Sequence, residues 1–527
     1  MTKNISAQDL RALIIEGREL ALLDVREEGI FARSHLLYAR PMPMSQLEIR
    51  IFDLVPRKSA PVVLCDANDG LAEQAAKKLT SYGYLDVSVL EGGIQGWEDA
   101  GYVLFSGFNV PSKAFGEFVE HNNDTPNISA DELKALIDRD EDMVILDSRP
   151  YPEYHRMNIP TAVDVPGAEL AYRVHDIAPS SDTLVVVNCA GRTRSIIGAQ
   201  SLINAGIPNR VLALRNGTMG WELAGHECDR GSTLCAPDVS SQGLQKAKAV
   251  AANVANRFGV KSIDMKQLKE WEADTSRSLY LLDVRHPEEF EAGHMSGSRS
   301  APGGQLVQAT DLYIGTLNAR VVLVDDTGVR ATMAAHWLVQ MGWNDAVVLQ
   351  GGLENADLKT GAHILDVPGI DAVEIKEISP AELQQDAAVI IDLGTSMNYK
   401  KGHIPGAWFA NRMLLSDAFV KLPIAECFVL TSENGMLAKL AASELEALTD
   451  IPVKVLAGGT YAWSASGFPL KDGEEHMATA AHDVWLKPYD LSNDVAAAMT
   501  EYLTWEINLV QQIKDDGTTN FKEFPGT

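Results

Sequence analysis

The sequence predicts an α/β protein built as four tandem units, each a mostly parallel sheet flanked by helices, followed by a helical C-terminal tail. Three observations carry this expectation. Short apolar strands alternate with helical patterns through the first 475 residues. One order of motifs returns four times. Each copy is about 110 residues, the size of an ordinary domain. The units fall at 1–110, 120–235, 258–365 and 370–475, with a linker at 236–257 and the tail at 476–527.

Each unit opens with a helix N-cap. Ser6, Ser129, Asp264 and Ser379 precede apolar residues at helical spacing, and each has an oxygen that can accept from a first-turn N–H. Pro380 then falls at the first helical position, where its missing N–H does no harm. A short apolar strand follows and ends in Asp24, Asp147, Asp283 or Asp392. Eleven residues further stands His35, Asn158, His294 or His403. A continuous apolar run at 61–64, 184–187, 321–324 or 428–430 suits a buried parallel strand. A polar loop, an alanine-rich helix, a last strand and a glycine-rich turn complete the unit. Trp97, Trp221 and Trp463 close three of these turns, and Ala356 stands in the third unit. The linker begins rich in Ser and Gly and turns Ala-rich, which predicts a helix. In the tail, residues 495–513 have helical spacing and are expected to pack on a domain or a second subunit, which leaves room for a homodimer.

Composition narrows the function. Apolar residues make up 46% and charged residues 22%, as in ordinary globular proteins. Against 72 Asp and Glu stand 45 Lys and Arg, a net charge of −27. That balance argues against nucleic-acid and anionic-membrane partners, but leaves room for a small anion in a local positive pocket. No stretch approaches the ~20 apolar residues of a membrane span, and the N-terminus lacks the apolar core of a signal peptide. A soluble, cytoplasmic protein is expected. Five cysteines (Cys65, Cys189, Cys228, Cys235, Cys427) are too few for a disulfide scaffold and lack zinc-site spacing. Without a Walker loop or a dinucleotide fingerprint, no metal or cofactor is expected.

Aligning the helix leucines Leu79, Leu202, Leu338 and Leu445 brings Asp66, Cys189, Asp325 and Ser432 into register without gaps. Only the second unit has a thiol there. Its loop reads Cys189-Ala190-Gly191-Arg192-Thr193-Arg194-Ser195, with a helix expected from near Ile196. A tight strand-to-helix loop points successive N–H groups inward as an anion-binding nest, and the helix end adds partial positive charge. Arg192 and Arg194 add full charges. A cysteine at such a mouth is expected to have its thiolate favoured and to be nucleophilic near neutral pH. Cys65 and Cys427 border strands and read as structural thiols.

The D-x-R strand end, the G-H-I-P-G-A segment, the cysteine loop before a helix and the G-G-x-x-G-W turn together resemble the rhodanese family of thiosulfate sulfurtransferases. The resemblance implies four rhodanese-like domains, of which only the second is active. It implies that Cys189 takes a sulfane sulfur from thiosulfate or a related anion, releases sulfite, and passes the sulfur from a persulfide to cyanide, a thiol or a protein partner. The amides from Ala190 to Ser195 would cradle the sulfur, and Arg192 and Arg194 would hold the anion. Asp66, Asp325 and Ser432 cannot form persulfides. Arg330 stands at the position of Arg194, which leaves room for weak anion binding in the third unit. Asn158 replaces histidine in the one thiol-bearing unit, so His35, His294 and His403 read as structural hydrogen bonders beneath the loop. Asp147 and Arg149 are expected to form a supporting salt bridge, and His155, Arg156 and Arg173 lie in expected loops that could rim the pocket. Two alternatives remain. One is a cysteine phosphatase or arsenate reductase, although the related phosphatases use C-x5-R and this loop is the shorter C-x4-R. The other is a sulfur-carrier or binding scaffold using the thiol-free units.

Overall fold

The computed structural model describes residues 3–354 and 356–524; Met1, Thr2, Asn355 and the last three residues of the tail lie outside them. All four units have the expected architecture and share one strand order. In the second unit the strands are Asn127–Ile128, Met143–Asp147, Val163–Asp164, Leu184–Asn188 and Val211–Leu214, all parallel. The first lies at an edge beside the fifth, followed by the fourth, second and third. The long central strands are buried, as their continuous apolar runs require.

The helix caps sit where the sequence puts them. The side chains of Ser6, Ser129, Asp264 and Ser379 accept from the N–H of Asp9, Glu132, Gln267 and Glu382. Asp147 and Arg149 form a buried salt bridge at 2.7 Å, and the same pair recurs as Asp24–Arg26 and Asp283–Arg285. Each arginine also donates to a carbonyl, of Met157, Ser34 or Gly293, and so ties the strand end to the chain returning to the sheet. His35, His294 and His403 are buried, bond a backbone carbonyl through Nδ1 and stack on Phe31, Phe290 and Tyr399.

The units pair in a nested order, first with fourth and second with third. Buried Arg412 of the fourth unit donates to Glu48 at 2.9 Å and to the Ser45 carbonyl of the first. Arg330 of the third unit donates to Glu169 of the second at 2.8 Å, and Trp337 Nε1 donates to Ser201 Oγ at 2.8 Å. Glycine permits the second contact: a Cβ on Gly304 would stand 2.9 Å from the Gly167 nitrogen. The third unit also reaches the first, where Thr316–Leu317 adds an antiparallel strand beside Leu20 and Ala21.

Three helices outside the repeats pack against these units. Ser241–Phe258 fills the linker, as its alanines suggest, and buries Ala247, Ala251, Val254 and Phe258. Val495–Asp516 forms the tail helix. Val110–Asn123, between the first two units, was not expected. It packs between the helix that follows the Cys189 loop and the tail helix. Its Gly116 touches that loop so closely that a Cβ would lie 2.7 Å from Thr193 Cγ2.

Replacing Trp337 by Ala should remove a buried ring from the joint between the second and third units. A loss of about 3–5 kcal/mol is expected, read as a lower midpoint of the corresponding transition in denaturant unfolding.

Candidate functional site

The strand Leu184–Asn188 delivers Cys189 to the sheet's C-terminal end, and the following helix runs Thr193–Ala205. The helix thus begins three residues earlier than expected. Arg192, Thr193 and Arg194 occupy its cap and first turn rather than an extended loop. The carbonyls of the turn are pulled outward: Thr218 N–H donates to Cys189 O at 2.8 Å and Met219 N–H to Ala190 O at 2.9 Å. Gly217, at φ +54°, makes this closure possible, because a Cβ there would lie 2.3 Å from the Cys189 oxygen.

The other three units show what the turn binds. Asp66 accepts from the N–H of Asn68 at 2.8 Å and of Ala72 at 3.0 Å. Asp325 accepts from Gly328 N–H at 2.6 Å and Arg330 N–H at 2.9 Å. Ser432 Oγ accepts from Ala438 N–H at 3.3 Å. Each thiol-free turn is closed by its own side-chain oxygen on a helix N-terminus. In the second unit the acceptor is Cys189 Sγ, to which the Ser195 hydroxyl donates at 3.0 Å and the Ser195 backbone N–H also donates.

Cys189 is only 2% exposed. Burial therefore pushes its thiol above the ordinary value, and the charge of Arg194 and the hydrogen bonds from Ser195 recover only part of that cost. This corrects the expectation of a resting thiolate at neutral pH. Arg192 also departs from expectation. It is 8% exposed and turned to the helix Val110–Asn123, donating to Glu117 at 2.7 Å, to Glu120, and to Asn216 at 3.1 Å. Its charge is consumed between elements and does not face a substrate. Arg194 donates to Glu153 at 2.8 Å and to Gln305 at 3.3 Å. Burial disfavours the Glu153 carboxylate, but Arg194 and Lys487 overcome it and hold Glu153 well below the usual range. Arg330, the counterpart of Arg194, is fully buried among Glu169, Glu289 and Asp326, which leaves no room for anion binding there.

A cavity of about 310 Å³ opens beside the loop. Ala190 and Arg194 line it, while Cys189 does not. Its walls come from several elements: Glu28 of the first unit, Gln305 and Gln308 of the third, Lys113 of the helix between the first two units, and Trp485, Lys487 and Tyr489 of the tail. Arg149 and Arg156 also border it. Arg156 and His155 lie on a short helix, Tyr151–Arg156, rather than in a loop; His155 bonds the Ser232 carbonyl, and Arg173 is helical and paired with Glu169. The tail helix covers the turn. A Cβ on Gly191 would meet Glu506 Oε2 at 3.2 Å and Tyr502 Cε1 at 3.3 Å, and Thr193 Oγ1 donates to Glu506 at 3.3 Å. Lys113, Lys487, Tyr502 and Glu506 lie outside the repeated pattern, so aligning the units carried no signal for them. Among the described residues no cluster of His, Cys, Asp and Glu suits a metal, and no helix is long and apolar enough to cross a membrane.

Two variants separate the arginines. Arg194→Met should slow alkylation of Cys189 by iodoacetamide at neutral pH. Arg192→Met should leave that rate near wild type but lower stability by about 3–5 kcal/mol, because Glu117 is left buried without its partner. In the parent protein the alkylation rate should rise with pH and still be climbing at pH 9, because burial holds the thiol above its ordinary value of 9.0.

Comparison with known proteins gives a consistent result. The sequence matches the rhodanese-like domain family at residues 6–100, 129–224, 264–357 and 379–466. A crystal structure of a thiosulfate sulfurtransferase from Pseudomonas aeruginosa superposes with a TM-score of 0.95 at 47% identity, covering 99% of this chain and 100% of that one. A probable adenylyltransferase/sulfurtransferase of Mycobacterium tuberculosis is 33% identical over 104 residues, 20% of this chain and 26% of that protein. The chain thus spans about a quarter of the length of that relative. A shorter thiosulfate sulfurtransferase of Pseudomonas aeruginosa is 34% identical over 74 residues, 14% of this chain and 66% of that protein.

Proposed function

This chain belongs to the rhodanese family, and we propose that it is a sulfurtransferase with one working centre, Cys189, fed by thiosulfate or a related anionic sulfane donor. One observation supports the reading above the others. Of the four equivalent turns, three are closed by a side-chain oxygen, and the second alone offers sulfur to the same helix N-terminus.

The chemistry follows in two displacements. The Cys189 thiolate attacks the outer sulfur of thiosulfate. A Cys189–sulfur bond forms, the sulfur–sulfur bond of the donor breaks, and its electron pair leaves on sulfite. The enzyme then carries a persulfide anion. Cyanide or a thiolate attacks the terminal sulfur, becomes thiocyanate or a new persulfide, and returns Cys189 as thiolate. Charge and atoms balance in each step without an added oxidant. Ser195 holds Sγ, Arg194 favours the anionic form of the sulfur, and the amides of the turn receive the terminal sulfur. Of the units whose turns lack a thiol, the first and third contribute walls of the cavity, through Glu28, Gln305 and Gln308, and no nucleophile. The short turn suits one sulfur atom better than a phosphoryl group.

Intact-mass measurement after incubation with thiosulfate tests this. The wild type should gain the mass of one sulfur atom and lose it on adding cyanide, and Cys189→Ser should gain none. A wild type that stays unmodified, or a Cys189→Ser chain that is modified equally, would overturn the proposal.

A further inference from the structure

Lys113 stands apart from every other cation near Cys189. It sits on the helix Val110–Asn123, outside all four family-matched segments, and is 2% exposed. Its ammonium lies 4.8 Å from the ring centre of Trp485, 4.7 Å from that of Tyr502 and 4.7 Å from that of Trp505. Ring faces attract a cation but accept none of its hydrogen bonds in the ordinary sense. Among the described residues no carboxylate lies within ion-pair distance of Nζ and no hydrogen bond engages it, whereas Arg149, Arg156, Arg194 and Lys487 each have an acidic partner. A buried ammonium left without acceptors is costly unless something supplies them. What it faces is the cavity beside the Cys189 turn.

Two further polar atoms on that cavity are orphaned. Asn109 Oδ1 and Gln308 Oε1 are buried without partners, and both residues line it. Tyr502 bridges the two regions: its ring is one wall around Lys113, and its edge rests on the turn at Gly191. Both arginines of the Cys189 turn already hold carboxylates, Arg192 those of Glu117 and Glu120 and Arg194 that of Glu153, although Arg194 still acts on the sulfur through its field.

We propose that Lys113, held in its three-ring box, is an oxyanion subsite that binds the sulfonate or carboxylate end of the sulfur compound whose sulfur exchanges at Cys189. The inference rests on the sulfur-transfer reading and moves the substrate's anchoring charge from the repeat to the helix between the first two units. At about 310 Å³ the cavity has the volume of a small-molecule site, so it accommodates an organic body between the oxyanion and the sulfur.

The charge is conditional on pH. Burial pushes Lys113 down to about 8; Glu506 opposes that, Lys487 adds to it, Asp311 opposes it and Arg194 adds to it. Tyr502 is the other titratable group against it. Since the protonated form binds the anion, affinity is present below that value and lost as pH rises through it.

Binding is measured on Cys189→Ser, which cannot turn over, so the result does not depend on sulfur transfer. Calorimetry and tryptophan fluorescence follow titration with thiosulfate in one arm and 3-mercaptopropionate in the other. Saturable binding of either anion is expected, weakened at least tenfold by adding Lys113→Met and largely retained with Lys113→Arg. Affinity should fall above pH 8 in the Lys113 chain and not in the Lys113→Arg chain. Binding of thiosulfate alone identifies a sulfonate site, and of the mercaptoacid alone a carboxylate site. Undiminished affinity in a folded Lys113→Met chain, or no binding of either anion to Cys189→Ser, would overturn the subsite.

Discussion

A helix that starts at the end of a buried strand presents N–H groups that must find acceptors. This chain meets that demand four times at one place in the fold. Carboxylates answer it at Asp66 and Asp325, and a hydroxyl at Ser432. Those oxygens are good acceptors that cannot form a persulfide, so the turns are structurally complete without sulfur. Sulfur at Cys189 is a weaker acceptor as a thiol and a strong one as a thiolate or persulfide. The helix N-terminus therefore rewards the charged states that the chemistry needs, while burial penalises them at rest.

The rest of the molecule can be understood as the housing of that turn. The second and third units exchange equivalent contacts across their joint, with one asymmetry that matters. Arg330 meets Glu169 of the second unit, whereas the equivalent reach of Arg194 meets neutral Gln305 of the third. Arg330 is neutralised on several sides, and Arg194 keeps enough field to act on Cys189. The first unit, the helix behind it and the tail then close the cavity. The first and third units, whose turns carry no thiol, thus serve as walls of one site, and the fourth braces the first through Arg412.

Much of this was legible in the sequence, because the repeat is dictated by local physics. Caps at Ser6, Ser129, Asp264 and Ser379, the apolar strands, and the glycine that lets the closing turn approach the loop carbonyl all follow from side-chain chemistry at fixed spacing. The position of Cys189 in the turn followed from alignment of the copies. What escaped was long-range pairing. Arg192 reads as a pocket cation because nothing near it in sequence is acidic; its partners Glu117 and Glu120 lie more than seventy residues away, on a helix outside the repeat. Lys113 was hidden for the same reason, since its box is completed by tail residues Trp485, Tyr502 and Trp505. The state of the Cys189 thiol is not legible in the sequence, which displays the charges around a cysteine but not the helix that shuts out water.

The central claim is that one turn in four stores a sulfur atom. Its most direct measurement is the sulfite released when the enzyme meets excess thiosulfate with no acceptor present. The account predicts a single burst of one equivalent of sulfite per chain, absent in Cys189→Ser. No burst, or an equal burst from the Cys189→Ser chain, would contradict it.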